Sequence, residues 1–279
     1  MAFRLILLDR NAVIAVKKNI NGQSVEIQRL SELRELRKLD KQRNFISPIL
    51  SMIEGQTGRR ENTQELESTL EKESEAIGSF FKRAKTDTAF FNSTEGSRAF
   101  SDIFSNHIEQ AWNCYISFIK DVQTHLYQPV SPKERLNVEN RLFTLAKKHG
   151  VQVSHPVFLV ALAVLYGHKG ASKVINPKPS YKTTDLEQKA AYNVVSDLIV
   201  ISRIGQIKSV MSEDGRNYSY VKFFTFDKGL SSVINAIKIN SEKYLSSGGV
   251  SINISCNRSL FPNLDDQNWL RLQNVLGIE

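Results

Sequence analysis

The segment that decides the fold is FRLILLDRN, residues 3–11. Residues 3–8 are apolar except for Arg4, and a nearly continuous apolar run of this length is typical of a parallel strand buried on both faces. The run ends at Asp9, which we expect at the carboxyl end of the strand. Ligand sites of open α/β sheets lie outside the carboxyl ends of the strands, so Asp9 is a candidate site residue.

Glu54 is the second acidic landmark. The segment FIS, residues 45–47, predicts a short second strand, and the Ser47-Pro48 pair is a typical helix start with Ser as the cap. Glu54 would lie near the end of this helix, before Gly55.

Asp197 is predicted on a long helix in the second half of the chain. The pattern TDLE, residues 184–187, has the form of a capping box, and Gly205 is a natural helix stop. Asn193 lies four residues before Asp197, so both side chains would point the same way.

Asp227 follows an apolar strand predicted over residues 221–226. If this strand is a neighbour of the first, Asp9 and Asp227 converge, and Glu54 and Asp197 would approach from helices above them. Such an oxygen-rich cluster without soft ligands suits Mg²⁺ or Mn²⁺.

These residues resemble the PIN-like nucleases in order and in structural setting. The matching positions, found within about 3–58 and 184–254, are Asp9 with Asn11, Glu54, Asp197, and Thr225 with Asp227. The resemblance implies a parallel sheet flanked by helices, a divalent-metal site and hydrolysis of RNA or DNA phosphodiester bonds.

The resemblance also implies roles for the individual residues. Asp9, Asp197 and Asp227 would face the metal, and Glu54 would orient water or hold a second metal. Asn11, Asn193 and Thr225 would be supporting residues, Asn193 on the grounds of its spacing alone. Metal-bound water would attack phosphorus while the metal neutralises the developing charge.

The expected organisation is a single α/β domain of PIN-like type. Its core is predicted from about 1–58 and 184–254, with a helical insertion over about 59–183 and a C-terminal helix over 265–276. Aromatic and apolar residues spaced by three and four between Phe100 and Ile119 predict an amphipathic helix in the insertion. In the last part of the core, residues 232–243 are predicted as a helix and 250–254 as a strand.

Composition is compatible with a polyanionic partner. The net charge is +8 and the pI about 9.4. The basic pairs Lys17-Lys18, Arg59-Arg60 and Lys82-Arg83 are interpreted as solvated faces, with a nucleic-acid track as the alternative. The two cysteines have no metal-ligand spacing, and the five histidines show no HExxH pattern, which argues against a zinc hydrolase.

We expect neither export nor membrane insertion. The apolar run over 3–8 is too short for a signal-peptide core, and the longest apolar stretch, 157–166, is typical of a buried helix. A cytoplasmic location is therefore expected.

The leading functional hypothesis is a metal-dependent endoribonuclease acting on RNA, with tRNA among the substrates to test. A role as a toxin or antiphage effector rests on family analogy. One alternative is a non-catalytic PIN-like module that binds a protein through its helical insertion, and another is a nuclease directed at DNA. The insertion could bind a protein regulator, gate the site, select the substrate or be structural bulk.

Overall fold

The computed structural model describes residues 3–23, 27–54, 62–91, 93–94, 96, 109–213, 218–244 and 250–278. The chain divides into two compact units. Unit 1 comprises Met1–His107 and Ile207–Asp227, and unit 2 comprises Ile108–Gln206 and Lys228–Glu279.

Helices dominate the described residues. In chain order they are α1 (Arg10–Ile20), α2 (Ile27–Arg37), α3 (Ile49–Glu54), α4 (Thr63–Phe80), α5 (Thr88–Phe91), α6 (Glu109–His125), α7 (Arg135–His149), α8 (Pro156–Leu165), α9 (Lys169–Ile175), α10 (Thr184–Glu213), α11 (Lys228–Ala236) and α12 (Asp266–Leu276). The strands are β1 (Phe3–Leu8), β2 (Asn44–Ser47), β3 (Lys85–Thr86), β4 (Tyr218–Phe224), β5 (Ile237–Tyr244) and β6 (Val250–Cys256).

The sheet of unit 1 is parallel and has the strand order β3-β2-β1-β4. From β1 the chain adds β2 and β3 on one side and later returns with β4 on the other side, so the strand order reverses at β1. None of residues 5–8 is more than 3% exposed, as expected for a central parallel strand. The predicted parallel sheet flanked by helices is confirmed. The sequence analysis made the convergence of Asp9 and Asp227 conditional on the pairing of their strands, and β1 and β4 are paired.

The core of unit 1 forms between this sheet and its helices. Ile6 and Leu8 of β1 and Ile46 of β2 pack against apolar residues of α1, α2 and α4. On α1 the buried residues are Ala12, Val13, Ala15 and Val16, at the spacings that place side chains on one helix face. The helix α4 starts at a capping box formed by Asn62 and Glu65. These contacts hold the carboxyl end of β1 against the start of α1.

Unit 2 is built around the apolar helix α8. Every residue of α8 except Val164 is buried, and α6, α7 and α9 all contact this helix. It starts at His155, whose side chain accepts a hydrogen bond from the N–H of Val157, and Pro156 occupies the first helical position. The prediction of a buried helix over 157–166 is confirmed. Among the described residues no single helix is both long and apolar enough to cross a membrane, and α8 with α9 meets that test only as a pair bent by 119°.

The predicted helix over 232–243 is correct only in its first part. The helix α11 ends at Ala236, and residues 237–244 form the strand β5, which pairs antiparallel with β6 in a separate hairpin. Ile237 lies opposite Cys256 in this pairing. The error arose because pairing with β6, the next strand along the chain, decides the conformation of this segment. The predicted strand over 250–254 is confirmed within β6.

The long helix α10 also differs from its prediction. Thr183, not Thr184, caps its start, because the N–H of Leu186 donates to the hydroxyl of Thr183 at 3.3 Å. The helix continues through Gly205 to Glu213. A glycine inside a helix costs only about 1 kcal/mol relative to alanine, so packing overrides the predicted stop. The C-terminal helix is confirmed as α12, with Asp265 as its cap.

The predicted insertion over 59–183 is largely helical where it is described, although β3 within it was missed. Residues 109–119 of the predicted aromatic helix lie in α6, and residues 97–108 are outside the described residues. The chain passes between the units at three places, one of which falls within α10, between residues 206 and 207. A single domain with one insertion stays a prediction.

Candidate functional site

The two central strands of unit 1 end at the same level of the sheet. Leu8 and Phe224 are the last residues of β1 and β4, and they lie opposite each other in the parallel register. The N–H of Asp9 donates a hydrogen bond to the carbonyl oxygen of Phe224 at 3.1 Å. Asp9 and Thr225 therefore occupy neighbouring positions just beyond the carboxyl ends of adjacent strands.

The carboxylate of Asp9 accepts hydrogen bonds through both of its oxygens, and the residue is only 3% exposed. Its Oδ1 accepts from the N–H of Ala12 at 2.7 Å, so Asp9 caps α1. Its Oδ2 accepts from the hydroxyl of Thr225 at 2.5 Å. Because each oxygen has a donor from a different element, the carboxylate is fixed in one orientation.

Thr225 links Asp9 to Asp227. Its hydroxyl donates to Asp9 and accepts from the N–H of Asp227 at 2.9 Å. Asp227 is partly buried and lies two residues beyond Thr225. The structure thus brings together three of the predicted site residues, through the strand pairing that the sequence analysis required.

Glu54 and Asn11 lie on the helices that follow β2 and β1. Glu54 is the last residue of α3, and its side chain is outside the described part of the structure. Asn11 is in the first turn of α1 and is exposed. Their roles stay predictions.

Asp197 and Asn193 lie on the part of α10 that belongs to unit 2. Asn193 is exposed and Asp197, one helical turn later, is partly buried. Their convergence with Asp9 and Asp227 is a prediction.

The carboxylate oxygens of Asp9 and Asp227 are of the kind that Mg²⁺ and Mn²⁺ prefer. Among the described residues, however, no group of three or more His, Cys, Asp and Glu side chains is arranged to hold a metal ion. The carboxylates of Asp9 and Asp227 are thus suitable ligands for such a cation. The third and fourth predicted ligands are Asp197, which belongs to unit 2, and Glu54, whose side chain is outside the described part of the structure. The divalent cation stays a prediction.

Sequence reasoning missed a further carboxylate at this edge of the sheet. Asp87 directly follows β3, and its side chain hydrogen-bonds with Ser47, the last residue of β2. Since neighbouring strands are about 4.8 Å apart, the ends of β3 and β1 are separated by about 10 Å. The two-residue strand β3 has no apolar run that would predict it from sequence. The position of Asp87 at a strand end is therefore seen only from the pairing of β3 with β2.

The carboxyl group of Asp87 is poorly solvated. Its Oδ1 is buried without a hydrogen-bond partner among the described residues. Burial raises the pKa of Asp87 to about 7, against the opposing effect of the hydrogen bond with Ser47. A carboxyl group with such a pKa can exchange a proton near neutral pH, which is a property of functional sites.

Glu73 of α4 is a buried carboxylate of a different kind. It is 1% exposed, accepts a hydrogen bond from the hydroxyl of Ser51 at 2.8 Å and lies 3.8 Å from the ammonium group of Lys17. Its charge is compensated in the interior of unit 1, so we assign it a structural role. Lys17, from one of the basic pairs, takes part in this compensation.

Comparisons with known proteins add no family or relative. No family model matches the sequence, and neither a curated protein nor a solved structure matches it.

Proposed function

We propose that this protein is a divalent-metal-dependent nuclease of PIN-like type that hydrolyses RNA phosphodiester bonds. One observation carries the proposal: Asp9 and the Thr225-x-Asp227 segment lie at the carboxyl ends of adjacent parallel strands, where the strand order reverses. This is the place at which open α/β sheets bind ligands. A toxin or antiphage role is part of the same proposal by analogy alone.

The residues of the site have different tasks in this proposal. Asp9 presents a carboxylate whose direction is set by Ala12 and Thr225. Thr225 is a positioning residue, because its hydroxyl orients Asp9 and accepts from the backbone of Asp227. Asp227 supplies a second carboxylate from the adjacent strand end.

Mg²⁺ or Mn²⁺ would be held by Asp9 and Asp227, with Asp197 and Glu54 as the further predicted ligands. When bound, such a cation supplies an activated water and neutralises charge on a phosphate. Asp9 and Asp227 would hold this cation in place, and without it their negative charges would repel a phosphate group.

The test is a cleavage assay with the purified full-length protein and labelled single-stranded RNA, tRNA and DNA. We expect RNA cleavage in Mg²⁺ or Mn²⁺, none in EDTA, and a loss of about 100-fold or more for Asp9→Asn and for Asp227→Asn, as for removal of charge-stabilising groups in other enzymes. The control is Glu71→Gln, which removes an exposed acid of α4 that has no part in the proposed site.

Cleavage that persists in EDTA, or in the Asp9→Asn/Asp227→Asn double variant, would refute the proposal. DNA cleavage without RNA cleavage would replace RNA by DNA as the substrate. Calorimetry with Mn²⁺ gives an independent reading, since a site that binds no cation at millimolar concentration would favour a non-catalytic module.

A further inference from the structure

Unit 1 has a basic cavity near the amino ends of its strands, away from the candidate site. Its volume is about 580 Å³. Five cationic residues and one aromatic residue are prominent in its lining: Arg4, Lys38, Lys41, Arg43, Lys222 and Tyr220. None of the described lining residues is acidic.

The register of the sheet assembles one side of the cavity. Arg4 of β1 lies opposite Tyr220 of β4, and Ile6 lies opposite Lys222. Because side chains of a strand alternate between faces, Arg4 and Ile6 share one face with Tyr220 and Lys222. The core helices cover Ile6, while Arg4, Tyr220 and Lys222 are exposed farther along the strands.

The segment between α2 and β2 forms the other side and is tied to the sheet. The side-chain amide of Asn44 donates to the carbonyl oxygen of Leu39 at 2.7 Å. The backbone N–H of Asn44 donates to the carbonyl oxygen of Lys41 at 2.8 Å. The N–H of Arg4 donates to the carbonyl oxygen of Arg43 at 2.9 Å. Lys41 and Arg43 are therefore presented by backbone that is already ordered, which lowers the entropy lost on binding.

The one acid of this segment is directed elsewhere. The carboxylate of Asp40 accepts hydrogen bonds from the N–H groups of Lys82, Arg83 and Ala84, at 3.1, 2.7 and 2.8 Å. Burial alone would raise the pKa of Asp40, but these backbone donors and the charge of Arg83 hold the pKa below its usual value. Asp40 thus stays ionised but bound outside the cavity lining.

The remaining charges leave the cavity positive. Lys38 forms an ion pair with Glu35 at 2.5 Å. No ion pair with Asp or Glu is found among the described residues for the other four cations. Several cations in one concave surface attract a polyanion and steer its approach.

Tyr220 indicates which kind of polyanion fits. It is 53% exposed, although it lies on a strand that pairs with the central strand of the sheet. A cationic groove combined with an exposed aromatic ring is the arrangement that binds single-stranded nucleic acid, since phosphates meet the cations and a base stacks on the ring.

We propose that the basic cavity binds the phosphate backbone of a single-stranded nucleic acid, with a base stacked on Tyr220. Arg4 and Asp9 are five residues apart in an extended segment, which spans about 16 Å. The cavity would thus hold nucleotides a short distance from the bond to be cleaved. This reading rests on the proposed function only in naming the bound strand as substrate.

The experiment measures binding without cleavage. Fluorescence anisotropy is recorded with labelled single-stranded RNA, and with DNA of the same sequence, using full-length protein carrying Asp227→Asn in EDTA. In this background Lys41→Gln/Arg43→Gln is compared with Lys82→Gln/Arg83→Gln. Both doubles remove two exposed cations of unit 1, but only the first alters the cavity lining.

We expect the Lys41→Gln/Arg43→Gln double to weaken binding about ten-fold or more and to reduce the salt slope by about 1.4, or about 0.7 for each lost phosphate contact. The control double should change binding by less than about two-fold. Tyr220→Leu should weaken binding about five-fold or more, the lower end of the range for one stacked base. If the Lys41→Gln/Arg43→Gln double fails to fold by circular dichroism, Lys222→Gln at an exposed strand position replaces it, with a slope change of about 0.7.

Equal losses in the two doubles would overturn the inference, as would a poly-glutamate peptide of equal charge that competes as well as RNA. Tighter binding of duplex than of single strands would also overturn it, because paired bases cannot stack on Tyr220. Tighter binding of RNA than of DNA supports RNA as the ligand, and equal binding supports recognition of the shared backbone.

The two proposals fail in different ways. If the cavity variants weaken binding but the unmutated protein cleaves nothing in Mg²⁺ or Mn²⁺, this inference holds and the nuclease proposal is refuted. Cleavage combined with binding that ignores the cavity variants retains the nuclease and removes this inference.

Discussion

Two acids, Glu139 of unit 2 and Asp87 at the sheet edge of unit 1, are held in opposite ways. In unit 2, Glu139 is 0% exposed, and Arg271 donates to both of its oxygens, at 2.6 and 2.9 Å. The hydroxyl of Tyr166 donates to the same carboxylate at 2.5 Å. In unit 1, Asp87 has an oxygen without a partner among the described residues. Glu139, satisfied by neighbouring side chains, stabilises the fold, whereas the carboxyl group of Asp87 is incompletely satisfied at a strand end and is available for proton exchange.

The largest stability loss expected from a single substitution comes from breaking the network of unit 2. Glu139→Ala leaves Arg271 and Tyr166 without their acceptor, and we expect the free energy of unfolding to fall by about 3 kcal/mol. Chemical denaturation of the full-length protein measures it. Glu134→Ala removes an exposed glutamate just before α7 and should change stability by less than about 0.5 kcal/mol. A loss below about 1 kcal/mol for Glu139→Ala would mean that the network contributes little and that the contrast is weak.

The next effect concerns Thr225, whose hydroxyl should matter for activity more than for stability. Thr225→Val removes the donor to Asp9, and we expect RNA cleavage to fall about 10- to 100-fold, as for other residues that orient metal ligands. Thr225→Ser keeps the hydroxyl and should restore most of the rate. If Val and Ser variants are equally active, Thr225 does not position the carboxylate.

The pH dependence of stability should have opposite signs in the two units. The folded-state pKa of Asp87, about 7, lies above its ordinary value of 3.8, so the folded protein keeps a proton that the unfolded chain has lost between about pH 4 and 7. The contribution of Asp87 to the free energy of unfolding is fully present below about pH 4 and is lost as pH rises to about 7. The slope is at most about 1.4 kcal/mol per pH unit. Asp87→Asn should remove this fall, as measured by denaturation of both proteins across the window.

His155 of unit 2 should behave in the reverse sense. Burial lowers its pKa from 6.5 to about 4, so the unfolded chain takes up a proton first as pH falls. Stability should decline from about pH 6.5 to 4, again by at most about 1.4 kcal/mol per pH unit. His155→Asn retains a helix-capping acceptor for α8 and should flatten the decline. If the stability of the His155→Asn variant declines between about pH 6.5 and 4 as steeply as that of the unmutated protein, burial does not lower the pKa of His155.

The smallest effect separates the structural task of Asp9 from its proposed chemical one. Asp9→Ala removes the cap of α1 and should cost about 1 kcal/mol, whereas Asp9→Asn keeps an acceptor and should cost less than about 0.5 kcal/mol. Both variants should lose nuclease activity to the same extent. Thermal unfolding and the RNA assay, run on the same samples, separate the two quantities.

Sequence reasoning succeeded where local pattern and final structure agree. Residues 3–8 form a buried strand with Asp9 directly after it, and this outcome follows from the apolar run and the acid that ends it. The helix α1, which Asp9 caps, was not predicted. The strand before Asp227 was found for the same reason, although β4 spans Tyr218–Phe224 and the predicted strand was 221–226.

The missed features depend on strand pairing, which the local sequence pattern does not show. Asp87 follows a two-residue strand that exists only through pairing with β2. The strand β5 replaces a predicted helix because β6 is its partner. The cations Arg4 and Lys222 are 218 positions apart in the chain, and the β1–β4 register places them in one cavity. No local spacing could announce that cavity.

The hydrogen bond between Thr225 and Asp9 joins residues that are 216 positions apart. Asp9 is synthesised early, but Thr225, whose hydroxyl orients the carboxylate of Asp9, is synthesised only after most of the chain has been made. The central strand β1 likewise waits for β4 before both of its edges are paired. Contacts of such long range form late in folding. A nascent or truncated chain therefore carries the first acid of the site in an unfinished setting, so any activity that depends on Asp9 is withheld until synthesis is nearly complete.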